Sequence, residues 1–260
     1  MIRRLSPLLA IAAGALVLVA ACGGGSSAPE LTDPTAIVTA ALKATEAAKS
    51  VHVEAAVDGS APIAIPGLPS TGAPITLTDT SATADVDLAG AAAHATFNVP
   101  ALFNLSGDLI AVDGKGYLKT TIGGAQYSEV DLSTLPIDVT NVKGMTDNLG
   151  DFLLGGDVTL NKGTDVACGS AQCYTVTANL SADQLSALLG DAAQGLPIDL
   201  EGSTLDVIVK VQKDAPNHLG GVTISSTSAA GVPLKVDLTF SKWDEPVTVT
   251  APPANQVKAG

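Results

Sequence analysis

Residues 41–59 read ALKATEAAKSVHVEAAVDG, and the spacing of their apolar side chains changes halfway along. Up to Lys49 the apolar residues recur every three or four positions, which is typical of a helix. From Val51 to Val57 they recur at every second position, which is typical of a strand with one solvated face. A helix that leads directly into such a strand favours a mixed fold over an all-helical one.

The helix in this stretch has a clear starting point. Asp33 can cap its first turn, and Pro34 is preorganised for the first helical position. The sequence therefore predicts a helix from about Pro34 to Lys49. The apolar residues at helical spacing are mostly small, which permits close packing against a sheet: Ile37, Ala40, Ala41, Ala44 and Ala48.

Short period-two runs separated by turn residues fill most of the remaining chain. Asp113-Gly114 and Gly123-Gly124 stand between such runs, where hairpins favour these residues. Strands outnumber helices, so we predict an α+β domain built on a large curved antiparallel sheet with a few helices against one face. Further strands are predicted at Ser81–Leu88, Ala92–Val99, Leu105–Val112, Gly116–Thr121, Tyr127–Val130, Val158–Leu160, Cys173–Ala178, Ser203–Val211, Gly221–Ser228, Leu234–Ser241 and Val247–Thr250.

A short helix is predicted in the middle of the chain. Thr146 can cap it, and the two glycines after Leu154 stop it. Its apolar residues are Leu149, Phe152 and Leu153.

Another helix is predicted to begin at a capping box. In this motif Ser181 and Gln184 exchange side-chain hydrogen bonds with each other's backbone, and Leu180 with Leu185 supplies the accompanying hydrophobic contact. We expect this helix to end near Ala193.

The first residues predict export and lipidation. Arg3 and Arg4 precede an apolar stretch from Leu8 to Ala21, which is short for a membrane span of ~20 residues. The stretch ends in VAAC at 19–22, an aliphatic residue and two small residues before cysteine, as in the bacterial lipobox. The alternatives are an ordinary signal peptide with a chance cysteine, or an uncleaved anchor.

These features predict the domain organisation. Residues 1–21 are a cleaved signal peptide, and 22–31 hold the lipidated Cys22 and a Gly/Ser tether whose roughly seven flexible residues reach about 15 Å. Residues 32–254 form a single domain, and 255–260 are a tail. The expected location is the outer face of the cytoplasmic membrane, in the cell envelope, with the lipid as anchor.

The other two cysteines, Cys168 and Cys173, are separated by four residues. In an oxidising compartment this spacing favours a hairpin whose arms are joined by a structural disulfide. No further Cys or His stands at ligand spacing, which argues against a metal site.

Charge and composition narrow the class of partner. The chain carries 26 acidic and 13 basic residues and a formal net charge of −13, and its basic residues do not cluster. Nucleic acid and anionic lipid surfaces are therefore excluded as electrostatic partners. The chain is 46% hydrophobic but 3% aromatic, so its interior is built mostly from Ala, Val, Leu and Ile. Small inward side chains indicate either an open cavity or the alanine bias of a GC-rich genome.

No catalytic constellation stands out in the sequence. His52, His94 and His218 are isolated, and the pair Asp85 and Asp87 lacks the rest of a calcium loop. We therefore predict a protein that is not an enzyme and holds no cofactor or metal.

Three segments together resemble one family. They are the opening helix and strand at 41–59, the hairpin VDGKGYL at 112–118 followed by Tyr127, and the closing LTFSKWDEPVTV at 238–249. In order and spacing they resemble the LppX/LprAFG family of mycobacterial-type lipoproteins. The connection Ala61–Pro74 and the disulfide hairpin depart from the family pattern.

The resemblance implies a half-barrel sheet whose concave face is covered by a few helices, with acyl chains of glycolipid, phospholipid or triacylglycerol held between them. It also implies lipid carriage in the envelope, with a membrane lipid exporter as candidate partner. The alternative is a non-catalytic surface interaction module with a solid core; a hydrolase would need a carboxylate pair that the sequence does not identify. The candidate cavity-lining residues are Ala93, Ala95, Phe97, Leu109, Ala111, Leu149, Phe152 and Leu153.

Overall fold

The computed structural model describes residues 30–61, 75–134, 144, 150–156, 158–181, 183–184, 204–227 and 233–258. Leu31–Gly260 form one compact unit. Helix α1 is Pro34–Ala47, and residues 150–154 are also helical, within the short helix predicted there. The strands are β1 Ser50–Ala61, β2 Ile75–Thr76, β3 Thr80–Asp87, β4 Ala92–Val99, β5 Leu105–Val112, β6 Lys115–Thr120, β7 Ser128–Val130, β8 Leu160–Lys162, β9 Val166–Cys168, β10 Ala171–Ser181, β11 Thr204–Gln212, β12 Leu219–Thr227 and β13 Pro233–Ser241.

The described strands form one antiparallel sheet in the order β7-β6-β5-β4-β3-β1-β13-β12-β11-β10-β8. β2 extends β1, and β9 pairs with β10. Most paired strands follow one another closely in the sequence. The pairing that is most distant in sequence is that of β1 with β13, which joins strands β3 to β7 to strands β8 to β12 in one sheet. The predicted α+β class with a large antiparallel sheet is confirmed.

Helix α1 forms as the sequence predicts. The Asp33 carboxylate accepts a 2.8 Å hydrogen bond from the backbone N–H of Ala36, and Pro34 occupies the first turn. The helix ends at Ala47, two residues earlier than expected. Its buried stripe, centred on Ile37, Val38 and Ala41, packs with side chains of β10, β11 and β12.

The sheet has two chemically distinct faces, because side chains alternate along each strand. We call the face that carries Val209 and Val222 and packs against α1 the inner face. The opposite, outer face carries His52, Asp85 and His94 in register on three adjacent strands. The period-two pattern of the sequence thus resolves into an apolar and a polar side.

Turn chemistry and caps match the expectations. Asp113 and Gly114 both have positive φ, 53° and 72°, as a two-residue hairpin turn requires. In the capping box, Ser181 N–H donates to Gln184 Oε1 at 2.9 Å, and Gln184 N–H donates to Ser181 Oγ at 3.2 Å. The helix expected to follow lies almost entirely outside the described residues, as does the segment 62–74.

The predicted strand Val247–Thr250 is wrong. Both neighbours of β13 are already occupied by β1 and β12, so the chain after Ser241 has no free edge beside it. Residues 244–258, which we call the terminal strap, instead run past the outer face, where 245–249 line a concavity with His52, Asp85 and His94. Val257 forms a parallel bridge with Tyr127 at the far side of the sheet.

Candidate functional site

Five adjacent strands, β1 and β3 to β6, present a continuous apolar surface on the inner face. The register aligns Val53 with Ala84, Ala84 with Ala95, Ala95 with Leu109 and Leu109 with Leu118. In the next row of side chains along the strands, Ala55 lies opposite Ala82, and Ala82 lies opposite Phe97. We call these half-buried side chains the inner apolar surface: Val53, Ala55, Ala82, Ala84, Ala95, Phe97, Leu109 and Leu118.

One end of this surface is filled. Ala93 and Ala111 face each other across β4 and β5 and are 1% and 0% exposed. They form a buried cluster with Val51 and Val86, against which Leu132 packs. At this end the inner face is therefore solid core, whereas Ala95, one pleat further along β4, is half-buried.

Phe97 owes its position to a glycine. It lies opposite Gly107 in the β4–β5 register, and a Cβ on Gly107 would lie 2.2 Å from Cζ of Phe97. The far end of the ring therefore lies directly over the backbone of Gly107. Gly107 was not among the residues predicted for the site, although a glycine inside a strand is a recognised signal of close approach.

The other half of the inner face is covered by helix. Leu153 is 3% exposed in a cluster with Ile37 and Val38 of α1, and Phe152 packs against that cluster. The structure thus divides the predicted lining residues into two groups, one on β4 and β5 and one in the helix-covered core. Leu149 lies outside the described residues.

Trp243 lies between the half of the inner face that carries the inner apolar surface and the half that is covered by helix. Its side chain packs against both buried clusters, and its Nε1–H donates a 2.9 Å hydrogen bond to the carbonyl of Leu219. Its ring stacks on His218 at 4.7 Å between centroids. Burial lowers the pKa of His218, which outweighs the opposing effect of Asp244. Trp243 is a packing anchor between the open and covered halves.

Two concavities have charged side chains in their linings. The first, about 270 Å³, lies between the outer face and the terminal strap and includes His52, Asp85 and His94. His52 Nδ1 is 2.6 Å from Asp85 Oδ1. The second, about 470 Å³, includes Asp108 and Lys119, which differ from the uncharged side chains of the inner apolar surface.

The part of the chain that the structure describes holds neither a metal-binding cluster nor a membrane-spanning helix. There, no three His, Cys, Asp or Glu side chains converge as a metal site would need. No helix among those residues has the length and hydrophobicity to span a membrane.

The predicted disulfide is present in the structure. Cys168 and Cys173 are bonded across the β9–β10 hairpin, with their Cα atoms 5.9 Å apart. Gly220 lies against both sulfurs, where a side chain would collide with Sγ of Cys173. The bridge thus ties β9 and β10 to the start of β12.

The sequence profile described as LppX_LprAFG lipoprotein matches residues 33–249, which include α1, the whole sheet and the segment after Trp243. The chain belongs to the LppX_LprAFG lipoprotein family. Its resemblance to that family in the segments 41–59, 112–118 and 238–249 is thereby confirmed. The family is one of lipid-carrier lipoproteins associated with the membrane or envelope and is not known for enzymes.

Individual relatives cover nearly the whole chain. The lipoarabinomannan carrier protein LprG of Mycobacterium leprae (strain TN) is 28% identical over 254 residues, 96% of each chain. The crystal structure of LprF from Mycobacterium bovis matches at TM-score 0.58 and 18% identity over 86% of this chain and 98% of that one. Lipoprotein LppX of Mycobacterium tuberculosis matches at TM-score 0.53 and 22% identity over 84% and 100%. The two crystal structures have the same fold.

Proposed function

We propose that this protein is a non-enzymatic lipid carrier that binds acyl chains on the inner apolar surface and carries or presents them in the cell envelope. The observation that supports this most directly is the surface itself. Helix α1 packs over β8 and β10 to β12, whereas eight apolar side chains on β1 and β3 to β6 remain half-buried. Half-buried apolar side chains that share one face of a sheet are the lining expected of an apolar binding site.

The chemistry of the surface matches an acyl chain. It offers methyl groups and one aromatic ring, and the charged side chains of the same strands point to the outer face. Burying a CH₂ group contributes roughly 0.8 kcal/mol relative to water, so an apolar protein surface offsets much of what an acyl chain loses when it leaves a bilayer. The small side chains Ala82, Ala84 and Ala95 leave room above the sheet where larger residues would fill it.

The proposed class of lipid headgroup is based on the relative LprG. LprG of Mycobacterium leprae is named for carrying lipoarabinomannan. We therefore propose a glycolipid, with phospholipid or triacylglycerol as the other candidates, whose acyl part lies on the inner apolar surface.

The proposed cellular arrangement comes from the sequence. Lipid on Cys22 anchors the protein to the outer face of the cytoplasmic membrane, and the tether before Leu31 keeps the sheet near the bilayer. A membrane lipid exporter is the proposed source of cargo.

The deciding experiment is lipid mass spectrometry on the chain from residue 23 onward, purified from an actinobacterial host. Wild type should carry stoichiometric diacyl or triacyl lipid. Ala95→Trp should fold normally and lose it, because the indole fills the open row. The matched control is Thr96→Trp, which points to the outer face and should retain the lipid. A folded, lipid-free wild type would instead favour the interaction module, and an unchanged lipid load in Ala95→Trp would contradict the proposed surface.

A further inference from the structure

The connections at one end of strands β3 to β7 carry little charge. Because every strand runs from one end of the sheet to the other, each connection between strands lies at one of the two ends. The end at which β1 begins carries the charged group: Lys49, Asp113, Asp165, Lys213, Asp214, Lys242, Asp244 and Glu245. At the other end of β3 to β7 the connections are 77–79, 100–104 and 121–127, and among these described residues Asp79 is the sole charged side chain.

Two large apolar side chains are exposed in the connections at this second end of β3 to β7. Phe103, in the β4–β5 connection, is 83% exposed, and Ile122, in the β6–β7 connection, is 70% exposed. Single exposed apolar residues are ordinary, but these are the two most exposed large ones among the described residues, and they occupy neighbouring turns.

Hydrogen bonds hold the two turns side by side. Ser106 N–H donates to Thr121 Oγ1 at 3.1 Å, and Thr121 N–H donates to the carbonyl of Ser106 at 2.9 Å. Phe103 and Asn104 both adopt positive φ, 58° and 56°, which is an unfavourable backbone conformation for a bulky aromatic residue. Phe103 is thus exposed, in a backbone conformation that is unfavourable for it, in the turn next to the one that carries Ile122. We call this pair of turns the apolar tip.

The apolar tip also stands at the open end of the inner apolar surface. Along β4 the inward residues pass from buried Ala93 through half-buried Ala95 and Phe97 to Val99 at the tip. Lys258 at the end of the terminal strap donates from Nζ to the carbonyl of Gly123 at 2.8 Å, so a cation flanks the tip.

We propose that the apolar tip inserts into the interfacial layer of a phospholipid bilayer. An aromatic and an aliphatic side chain flanked by lysine, on turns without carboxylates, match that layer, where apolar groups bury ~5–10 Å deep. The proposal rests on the proposed function only for the presence of a bilayer within reach of the tether. The nine residues from Cys22 to Glu30 span at most about 30 Å, which limits the distance of Leu31 from the membrane surface. Leu31 N–H donates to the Tyr174 hydroxyl near the opposite end of the sheet, so the tip reaches the bilayer when the sheet lies along the membrane.

The net charge of the chain indicates which forces hold the apolar tip in the bilayer. A chain of net charge −13 gains nothing from anionic headgroups, so insertion depends on the apolar side chains and persists in zwitterionic vesicles and in high salt. Bound in this way, the open end of the inner apolar surface would face the lipid tails.

The test uses the mature chain, residues 22–260, coupled through Cys22 to a maleimide lipid in phosphatidylcholine vesicles. Cys22 is the one thiol outside the Cys168–Cys173 disulfide. Phe103→Trp places a fluorophore on the tip, Ala89→Trp places one on an exposed turn at the charged end, and Trp243 of the wild type sets the baseline. The quencher is phosphatidylcholine brominated high in its acyl chains.

We expect brominated lipid to quench Phe103→Trp several-fold more than Ala89→Trp, and Ile122→Asp in the Phe103→Trp background to abolish the difference. Equal quenching at both ends would overturn the proposal. A blue-shifted Phe103→Trp emission that needs no vesicles and rises with protein concentration would also overturn it, because a second copy then covers the tip. Lipid carried by the same samples is scored separately: a cargo-free chain whose tip is quenched contradicts the carrier function and leaves the tip insertion standing.

Discussion

The ring of Phe97 occupies the space that a side chain on Gly107 would need. The two residues face each other across β4 and β5, and a Cβ on Gly107 would lie 2.2 Å from Cζ and 2.4 Å from Cε1 of Phe97. Because the ring lies against backbone on one side, it can leave this position only by rotating towards the open part of the inner face. The pair therefore links the stability of the sheet to the shape of the proposed binding surface.

Gly107→Ala should destabilise the protein by about 1–3 kcal/mol, the usual cost of overpacking. Urea unfolding measures this. In a Phe97→Ala background the same substitution should cost little, because the space is then free, so a double-mutant cycle should show a strong coupling. Additive effects of the two substitutions would show that the contact does not exist in solution.

The stack of His218 on Trp243 predicts a pH dependence of stability. Burial lowers the pKa of His218, so the unfolded chain binds a proton at this side chain more tightly than the folded chain does. The free energy of unfolding should therefore decrease as pH falls through the ordinary histidine range near 6.5. His218→Phe keeps an aromatic ring against Trp243 and should flatten this dependence.

The control for that prediction is His94→Gln, which removes an exposed histidine and should leave the slope contributed by His218 in place. Asp165 and Asp237, whose carboxylate pKa values are lowered chiefly by hydrogen bonds from lysines, lose their contribution at more acidic pH and do not interfere. An unchanged slope in His218→Phe would show that His218 is not buried in its neutral form.

Removal of the disulfide should weaken the fold and leave lipid binding intact. Cys168 and Cys173 are five positions apart, and a bridge that closes so short a loop contributes roughly 2 kcal/mol. The paired substitution Cys168→Ser with Cys173→Ser should lower the free energy of unfolding by that amount. Copurified lipid, measured by mass spectrometry, should stay at the wild-type level, since β9 and β10 lie outside the inner apolar surface. A loss of lipid would place the hairpin in the binding site.

The sequence predicts those parts of the fold that depend on local chemistry. Asp33 with Pro34 predicts the start of α1, and the Asp113-Gly114 turn separates β5 from β6 as expected. The strands Ala92–Val99 and Leu105–Val112 have the predicted bounds. Strands of two or three residues, such as β2, carry too little periodicity to be recognised.

Features that depend on long-range contacts are not visible in the sequence. Val247–Thr250 has the composition of a strand, yet the pairing of β1 with β13 leaves no edge for it. Ala93 and Ala95 alternate identically in the sequence, but Ala93 belongs to the buried cluster against which Leu132 and Trp243 pack, and Ala95 does not. Period-two patterning identifies the face of a sheet, whereas the depth of burial along that face depends on distant residues.

This difference in depth gives a direct test of where the inner face is solid and where it is open. Ala111→Leu introduces three carbons at a site that is 0% exposed and should destabilise the protein by about 1–3 kcal/mol or more. Ala95→Leu makes the same change at a half-buried site and should alter the free energy of unfolding by less than about 0.5 kcal/mol. Urea unfolding and lipid mass spectrometry on both variants should separate them, with Ala95→Leu folded but poorer in lipid. Equal destabilisation by the two substitutions would mean that the row containing Ala95 is filled like the row containing Ala111, and the proposed acyl site would then have to lie elsewhere.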